Sequence, residues 1–94
     1  MTIDIHHDEQ RQRFHADVEG GEARLDYERK SEDVVDFRST FVPDEARGEG
    51  IAGRIVTQGL EWASENDLRV VPSCSYVRGY IERNPEYESL VARD

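Results

Sequence analysis

Phe41-Val42-Pro43-Asp44-Glu45-Ala46-Arg47-Gly48-Glu49-Gly50-Ile51-Ala52-Gly53 joins two parts of a 94-residue chain that follow different periodicities. Upstream, apolar residues alternate with polar ones, the period of a strand with one buried face. Downstream they recur at three and four residues, the period of an amphipathic helix. A strand that ends in a glycine turn and re-emerges as a helix decides the fold class.

Working back from the turn, residues 34–42 read as a strand with Val35, Phe37 and Phe41 on one side. Ser31-Glu32-Asp33 makes the turn before it. An earlier strand puts Ala23, Leu25 and Tyr27 on its buried face, and Gly20-Gly21 ties it to a strand carrying Phe14, Ala16 and Val18. Glycine supplies the positive φ that tight hairpins need. The three strands form an antiparallel meander. Residues 1–12 are polar and are expected to be partly disordered, within a single domain spanning 1–94.

Working forward, residues 51–66 place Ile51, Ala52, Ile55, Val56, Gly59, Leu60, Trp62 and Ala63 on one half of a helix, at roughly 100° per residue. Asn66-Asp67 ends it, and Leu68-Arg69-Val70-Val71 is a short apolar strand. Strand, helix and strand in succession imply a right-handed crossover and a parallel pair. Residues 76–83 read as a helix with Val77, Tyr80 and Ile81 on one face. Asn84-Pro85 breaks it, because the residue before proline disfavours the α region. Pro85 then opens a last short helix carrying Tyr87, Leu90 and Val91. The expected fold is α/β (α+β): a mostly antiparallel sheet, one parallel crossover and short C-terminal helices.

Composition narrows the partners. The formal net charge is -9, from 21 acids against 12 bases, which disfavours a nucleic-acid backbone or an anionic membrane and suits a cationic amine. Cys74 is the single cysteine, so no internal disulfide forms. No apolar stretch approaches membrane-spanning length and no N-terminal run has the pattern of a leader, so the expected location is the cytoplasm. His6-His7-Asp8 lack the spacing of a metal site, and no metal is expected. His15 reads as an exposed strand residue and Trp62 as packing.

The first N–H groups of a helix lack internal partners, and the helix dipole adds partial positive charge there. A diphosphate accepts several of those donors when no side chain blocks its approach. Gly48 and Gly50 clear the way and Arg47 adds positive charge. Gly48-Glu49-Gly50-Ile51-Ala52-Gly53 fits the dinucleotide pattern G-x-G-x-x-G, but that reading needs an acid at the end of the following strand, and Val70-Val71-Pro72-Ser73 has none. It also needs repeated parallel units, whereas a meander precedes this turn. A P-loop is excluded because no Gly-Lys-Ser/Thr occurs.

In another frame, Arg47-x-x-Gly50-x-Ala52 after Phe41-Val42-Pro43 resembles the Q/R-x-x-G-x-G/A motif of the GNAT superfamily of N-acetyltransferases. Val71-Pro72-Ser73-Cys74 and Tyr80-Ile81-Glu82-Arg83-Asn84-Pro85-Glu86-Tyr87 are similar to a second block of its small single-domain branch. The resemblance covers roughly residues 13–91. It implies acetyl-CoA or coenzyme A held by Arg47, Gly48, Glu49, Gly50, Ile51 and Ala52, and transfer of an acetyl group to an amine. It further implies a backbone N–H near Phe41-Val42 that meets the thioester carbonyl. The chain departs from the branch at Ser39-Thr40, where many members carry His-Thr, and at Glu49, an acid in the turn. The alternative is a protein that binds coenzyme A with little transferase activity.

Acetyl transfer from a thioester needs a deprotonated amine, a stabilised carbonyl oxygen and a proton for the departing sulfur. Cys74, before a helix, reads either as a nucleophile or base or as a small buried hydrophobe. Tyr76, Tyr80 and Tyr87 are candidate acids or walls of an acyl pocket, with Tyr80 at a spacing more typical of core. Arg78 and Arg83 are candidates for the adenosine phosphate of the cofactor.

Overall fold

Two hairpins set the sheet. In the computed structural model, which describes residues 3–92, Gly20 and Gly21 adopt φ of 89° and 143° and reverse the chain between β2 (Arg13–Val18) and β3 (Gly21–Arg29). A second reversal, closed by Lys30 N–H donating to the Val34 carbonyl at 2.9 Å, leads into β4 (Val34–Phe41). Before both lies β1 (His6–Asp8), antiparallel to β2, inside the segment where no element was expected. Its residues are polar and too few to show a period, so only the pairing with β2 defines it. Ile3 and Ile5 also pack against the core.

The chain then crosses through α1 (Ile51–Glu65) and returns as β5 (Arg69–Pro72), parallel to β4. The five strands lie in sequence order, β1-β2-β3-β4-β5. Ile55, Val56, Leu60 and Ala63 of α1 pack on the face carrying Phe14, Ala16, Ala23, Leu25, Tyr27, Val35 and Phe37. Gly59 permits close approach: a Cβ there would lie 2.9 Å from Leu25 Cδ2 and 3.3 Å from Phe37 Cζ. Residues such as Arg13, Glu22, Arg24 and Asp26 occupy the other face, tied by ion pairs such as Arg13 Nε to Asp26 Oδ1 at 2.7 Å. Among the described residues no helix is long and apolar enough to cross a membrane.

One expectation for β4 fails. Tyr27 pairs with Phe37 while Asp26 pairs with Ser39, so Arg38 is an extra residue, a β-bulge. An inserted residue reverses the alternation beyond it. Thr40, opposite Leu25, therefore turns to the helix side. Phe41 turns to the other face, where it is 41% exposed beneath the Arg24 guanidinium, 4.7 Å from the ring centroid. Phe41 is not on the side of Val35 and Phe37 as the alternation predicted.

Beyond β5, Cys74 caps α2 (Ser75–Arg83), and a 3-10 helix follows at Pro85–Leu90. Val77 and Ile81 join the core. Val91, expected in the last helix, instead bridges to Val70 in parallel, with Ala92 N–H donating to the Val70 carbonyl at 2.8 Å.

Candidate functional site

Pro43 ends the strand, and a 3-10 turn at Asp44–Ala46 leads to the glycines. Gly48 and Gly50 adopt φ of 87° and 77°, the left-handed region that disfavours a side chain. Nothing lies within 4 Å of where a Cβ would stand on either glycine. The glycines therefore serve the backbone path and leave open space above it. Gly50 is the N-cap of α1 and brings no side-chain acceptor, and the first turn contains no acid. Most helices meet this need with Ser, Thr, Asp or Asn. Here no side-chain acceptor caps the helix start.

A depression of about 200 Å³ opens at this point, lined by Val42, Ala46, Arg47, Gly48, Gly50, Ile51, Ala52 and Tyr76. Of the residues singled out in the sequence it brings together Val42, Arg47, Gly48, Gly50, Ile51, Ala52 and Tyr76. Arg47 is held over its own turn, with Nε donating to the Val42 carbonyl at 3.1 Å and Nη1 lying 3.1 Å from Asp44 Oδ1. Tyr76 arrives from α2. Its hydroxyl would lie 3.5 Å from a Cβ on Gly53 in the first turn of α1, and its ring is 37% exposed. The Arg83 guanidinium stands 6.0 Å from that ring.

The neighbouring feature is a gap in the sheet. The parallel ladder of β4 and β5 ends at Phe37 and Pro72. From Arg38 to Phe41, β4 has a strand partner only on the β3 side. Cys74 closes the gap: its N–H donates to the Phe37 carbonyl at 2.9 Å, and its thiol lies 3.3 Å from Thr40 Oγ1. The thiol residue is 9% exposed. Thr40 escaped the sequence reading because the bulge alone turns it inward.

Several singled-out residues lie elsewhere. Glu49 is exposed and lines a different depression with Asp17, Val18 and Glu19. The Thr57 hydroxyl donates to the Gly53 carbonyl at 2.7 Å, so it accepts the proton of the Tyr80 hydroxyl, which is thereby committed between the helices. Tyr87 donates to Glu61 Oε2 at 3.0 Å, and burial, with that hydrogen bond, raises its pKa to about 12. Arg78 Nη1 reaches the carbonyls of Pro72 and Ser73, each at 3.3 Å. Tyr76 is thus the tyrosine that faces the glycine turn. His6 and His7 occupy opposite faces of β1, the first beside His15 and the second stacked on Phe14.

Residues 13–90 match a family model described as GCN5-related N-acetyl-transferase. Protein NATD1 of Mus musculus is 36% identical over 85 residues, spanning 88% of this chain and 77% of that protein. The Danio rerio protein of the same name is 30% identical over 88 residues, spanning 92% and 80%. A GCN5-like protein from Staphylococcus aureus, solved in solution by NMR, superposes with a TM-score of 0.75 at 25% identity, covering 95% of this chain and 87% of that one.

Proposed function

The chain belongs to the family of GCN5-related N-acetyltransferases, and from that premise we propose that it binds acetyl-CoA at the glycine turn and transfers the acetyl group to an amine. The observation that carries this reading is the open space above Gly48 and Gly50 at a helix start that has no acceptor of its own. A diphosphate fits such a place, because the N–H groups and the dipole of α1 are directed at it.

Bound acetyl-CoA supplies an activated thioester. Under this reading the first-turn N–H groups of Ile51, Ala52 and Gly53 hold the diphosphate, with Arg47 adding charge at the rim. The edge of β4 left open where the ladder with β5 ends offers backbone donors near Phe41-Val42 to the carbonyl oxygen, where negative charge develops. The Tyr76 hydroxyl, exposed on the same depression, gives the departing sulfur its proton and is restored by the proton that the amine sheds on becoming an amide. Arg83, beside Tyr76, supplies positive charge to the adenosine phosphate. Cys74 and Thr40 sit at the closed end of the gap.

A second reading, a CoA-binding protein with little turnover, is favoured by one observation. Ser39 stands where the motif's relatives often carry histidine, and it lies on the face of β4 away from Cys74, paired with Asp26. Two measurements separate the readings: thermal shift with coenzyme A, and thiol release from acetyl-CoA with a panel of primary amines. The proposal expects a rise in Tm and amine-dependent release. A rise without release leaves the binding protein, and no rise removes both. In the same assay Cys74→Ala assigns the thiol: release at the wild-type rate means packing, and lost release with unchanged CoA affinity means chemistry.

A further inference from the structure

Asp36 is a carboxylate with capacity left over. It lies on the sheet face away from the helices, yet is only 4% exposed. Its Oδ2 meets Arg38 Nη1 at 3.5 Å, and its Oδ1 meets no hydrogen-bond donor. A buried polar atom without a partner is costly, and its retention in a fold calls for a reason. The acids around it are already engaged. Asp26 takes Arg13 Nε at 2.7 Å and Arg24 Nε at 3.4 Å. Glu28, directly across from Asp36, takes Lys30 Nζ at 3.0 Å and Arg38 Nη1 at 3.4 Å.

Arg38, the extra residue of the bulge, is thus held by two long contacts, one to Asp36 and one to Glu28, and its side chain is 55% exposed. Such a group moves into solvent at little cost. An open depression of about 620 Å³ lies beside it, lined by Gln12, Asp26, Tyr27, Glu28, Arg38 and Ser39. Asp36 is also the next-to-last rung of the β4–β5 ladder, paired with Val71 just before the gap opens. A cation held there lies on the same strand as the edge assigned above to the thioester, roughly 16 Å short of Phe41.

We propose that Asp36 and Glu28 bind a primary ammonium group that the acceptor carries apart from its reacting amine, and that the Arg38 guanidinium occupies the place in the free protein until the substrate displaces it. The inference rests on the acyl-transfer reading only for its purpose; the cation site is defined by its own residues. Charge balance fits a monocation. Asp36 and Glu28 face Arg38 and Lys30, so exchanging one guanidinium for one ammonium conserves the sum. An ammonium has three tetrahedral donors, which lets it reach Oδ1 as well as Oδ2.

The test is a ¹⁵N–¹H NMR titration of the full chain with n-butylammonium, and with n-butanol as the uncharged control. Shifts are expected at Glu28 and at residues 36–39, with the ammonium only. Removing the internal competitor in Arg38→Ala should tighten binding by about tenfold. Asp36→Asn should weaken it by about tenfold or more, since a charge partner is lost. Arg38→Gln serves as the second variant should Arg38→Ala lower Tm. Arg38 variants that bind no more tightly, or an Asp36→Asn chain that binds as wild type, overturn the proposal. Amine binding that follows this pattern in a chain giving no thermal shift with coenzyme A would uphold the site and sink the transferase reading; the reverse result would sink the site alone.

Discussion

The two ends of α1 are built to opposite standards. At its C-terminus, Asp67 adopts φ of 55°, Asp67 N–H donates to Ser64 at 3.2 Å, and Leu68 N–H donates to Ala63 at 2.8 Å. That is a Schellman closure with its hydrophobic contact supplied by buried Leu68. Trp62, one turn before, meets His7 and Phe14 edge-on at 4.7 and 5.6 Å. At its N-terminus, a glycine cap without an acceptor faces open space. The helix is closed off where it anchors the sheet and left open where the proposed ligand would bind. Packing at one end holds the other at a fixed height above the strand gap.

The largest effects come from breaking one end at a time. Phe14 is 1% exposed and stacks under His7; Phe14→Ala should cost about 3–5 kcal/mol. That is a large part of a typical total of about 5–15 kcal/mol, read as a lowered urea midpoint. The affinity of the folded fraction for coenzyme A should stay as in wild type. Gly50→Glu should cost only about 1 kcal/mol for the left-handed residue yet abolish the CoA-induced rise in Tm. A CoA response that survives in Gly50→Glu would mean that the open end is not the binding site.

The sequence disclosed those features that residue type carries by itself. The periods of β2, β3 and α1 are written in alternation and in the three-four spacing, and the glycine turn shows because only glycine takes φ near 80° readily. The sequence hid what depends on partners. β1 is three polar residues that become a strand only against β2. The Arg38 bulge leaves no local mark, yet it moves Phe41 outward and brings Thr40 to Cys74. The commitment of Tyr80 to Thr57 follows from how two helices dock, which no spacing within either one reveals. The spacing already set Tyr80 apart from Tyr76 as a core position, and the packing adds its hydrogen-bond partner.

Two glycines within α1 sharpen the contrast between its packed and open parts. Glycine inside a helix is worse than alanine by about 1 kcal/mol, so each should gain from Gly→Ala if space allowed. At Gly59 the new methyl meets Leu25 and Phe37, both fully buried, at 2.9 and 3.3 Å. Overpacking of about 1–3 kcal/mol outweighs the helix gain, and Gly59→Ala should lose about 1 kcal/mol net. At Gly53 the nearest atom is the Tyr76 hydroxyl at 3.5 Å, an ordinary contact. Gly53→Ala should therefore stabilise by up to about 1 kcal/mol. Urea midpoints that move the same way in both variants would erase the difference between the two parts of the helix.

The smallest expected effect is a pH slope from the packed end. His7 Nε2 lies 2.5 Å from the Tyr27 hydroxyl, between Phe14 and Trp62. Burial lowers its pKa from 6.5, against the opposing pull of Glu9 and Asp8. Burial likewise raises Tyr27 to about 12, against the Arg29 charge, so its phenol keeps its proton beside a neutral imidazole. For a base whose folded pKa is depressed, the unfolded chain binds more protons between the folded value and 6.5. Stability is complete above 6.5 and falls as pH drops through the folded pKa. His7→Phe, which keeps a ring against Phe14 and Trp62 but cannot titrate, should flatten the part of the slope between pH 7 and 5 that His7 contributes. Equal slopes in the two proteins would show that the aromatic end carries no titrating load, and that the two ends of the helix differ in packing alone.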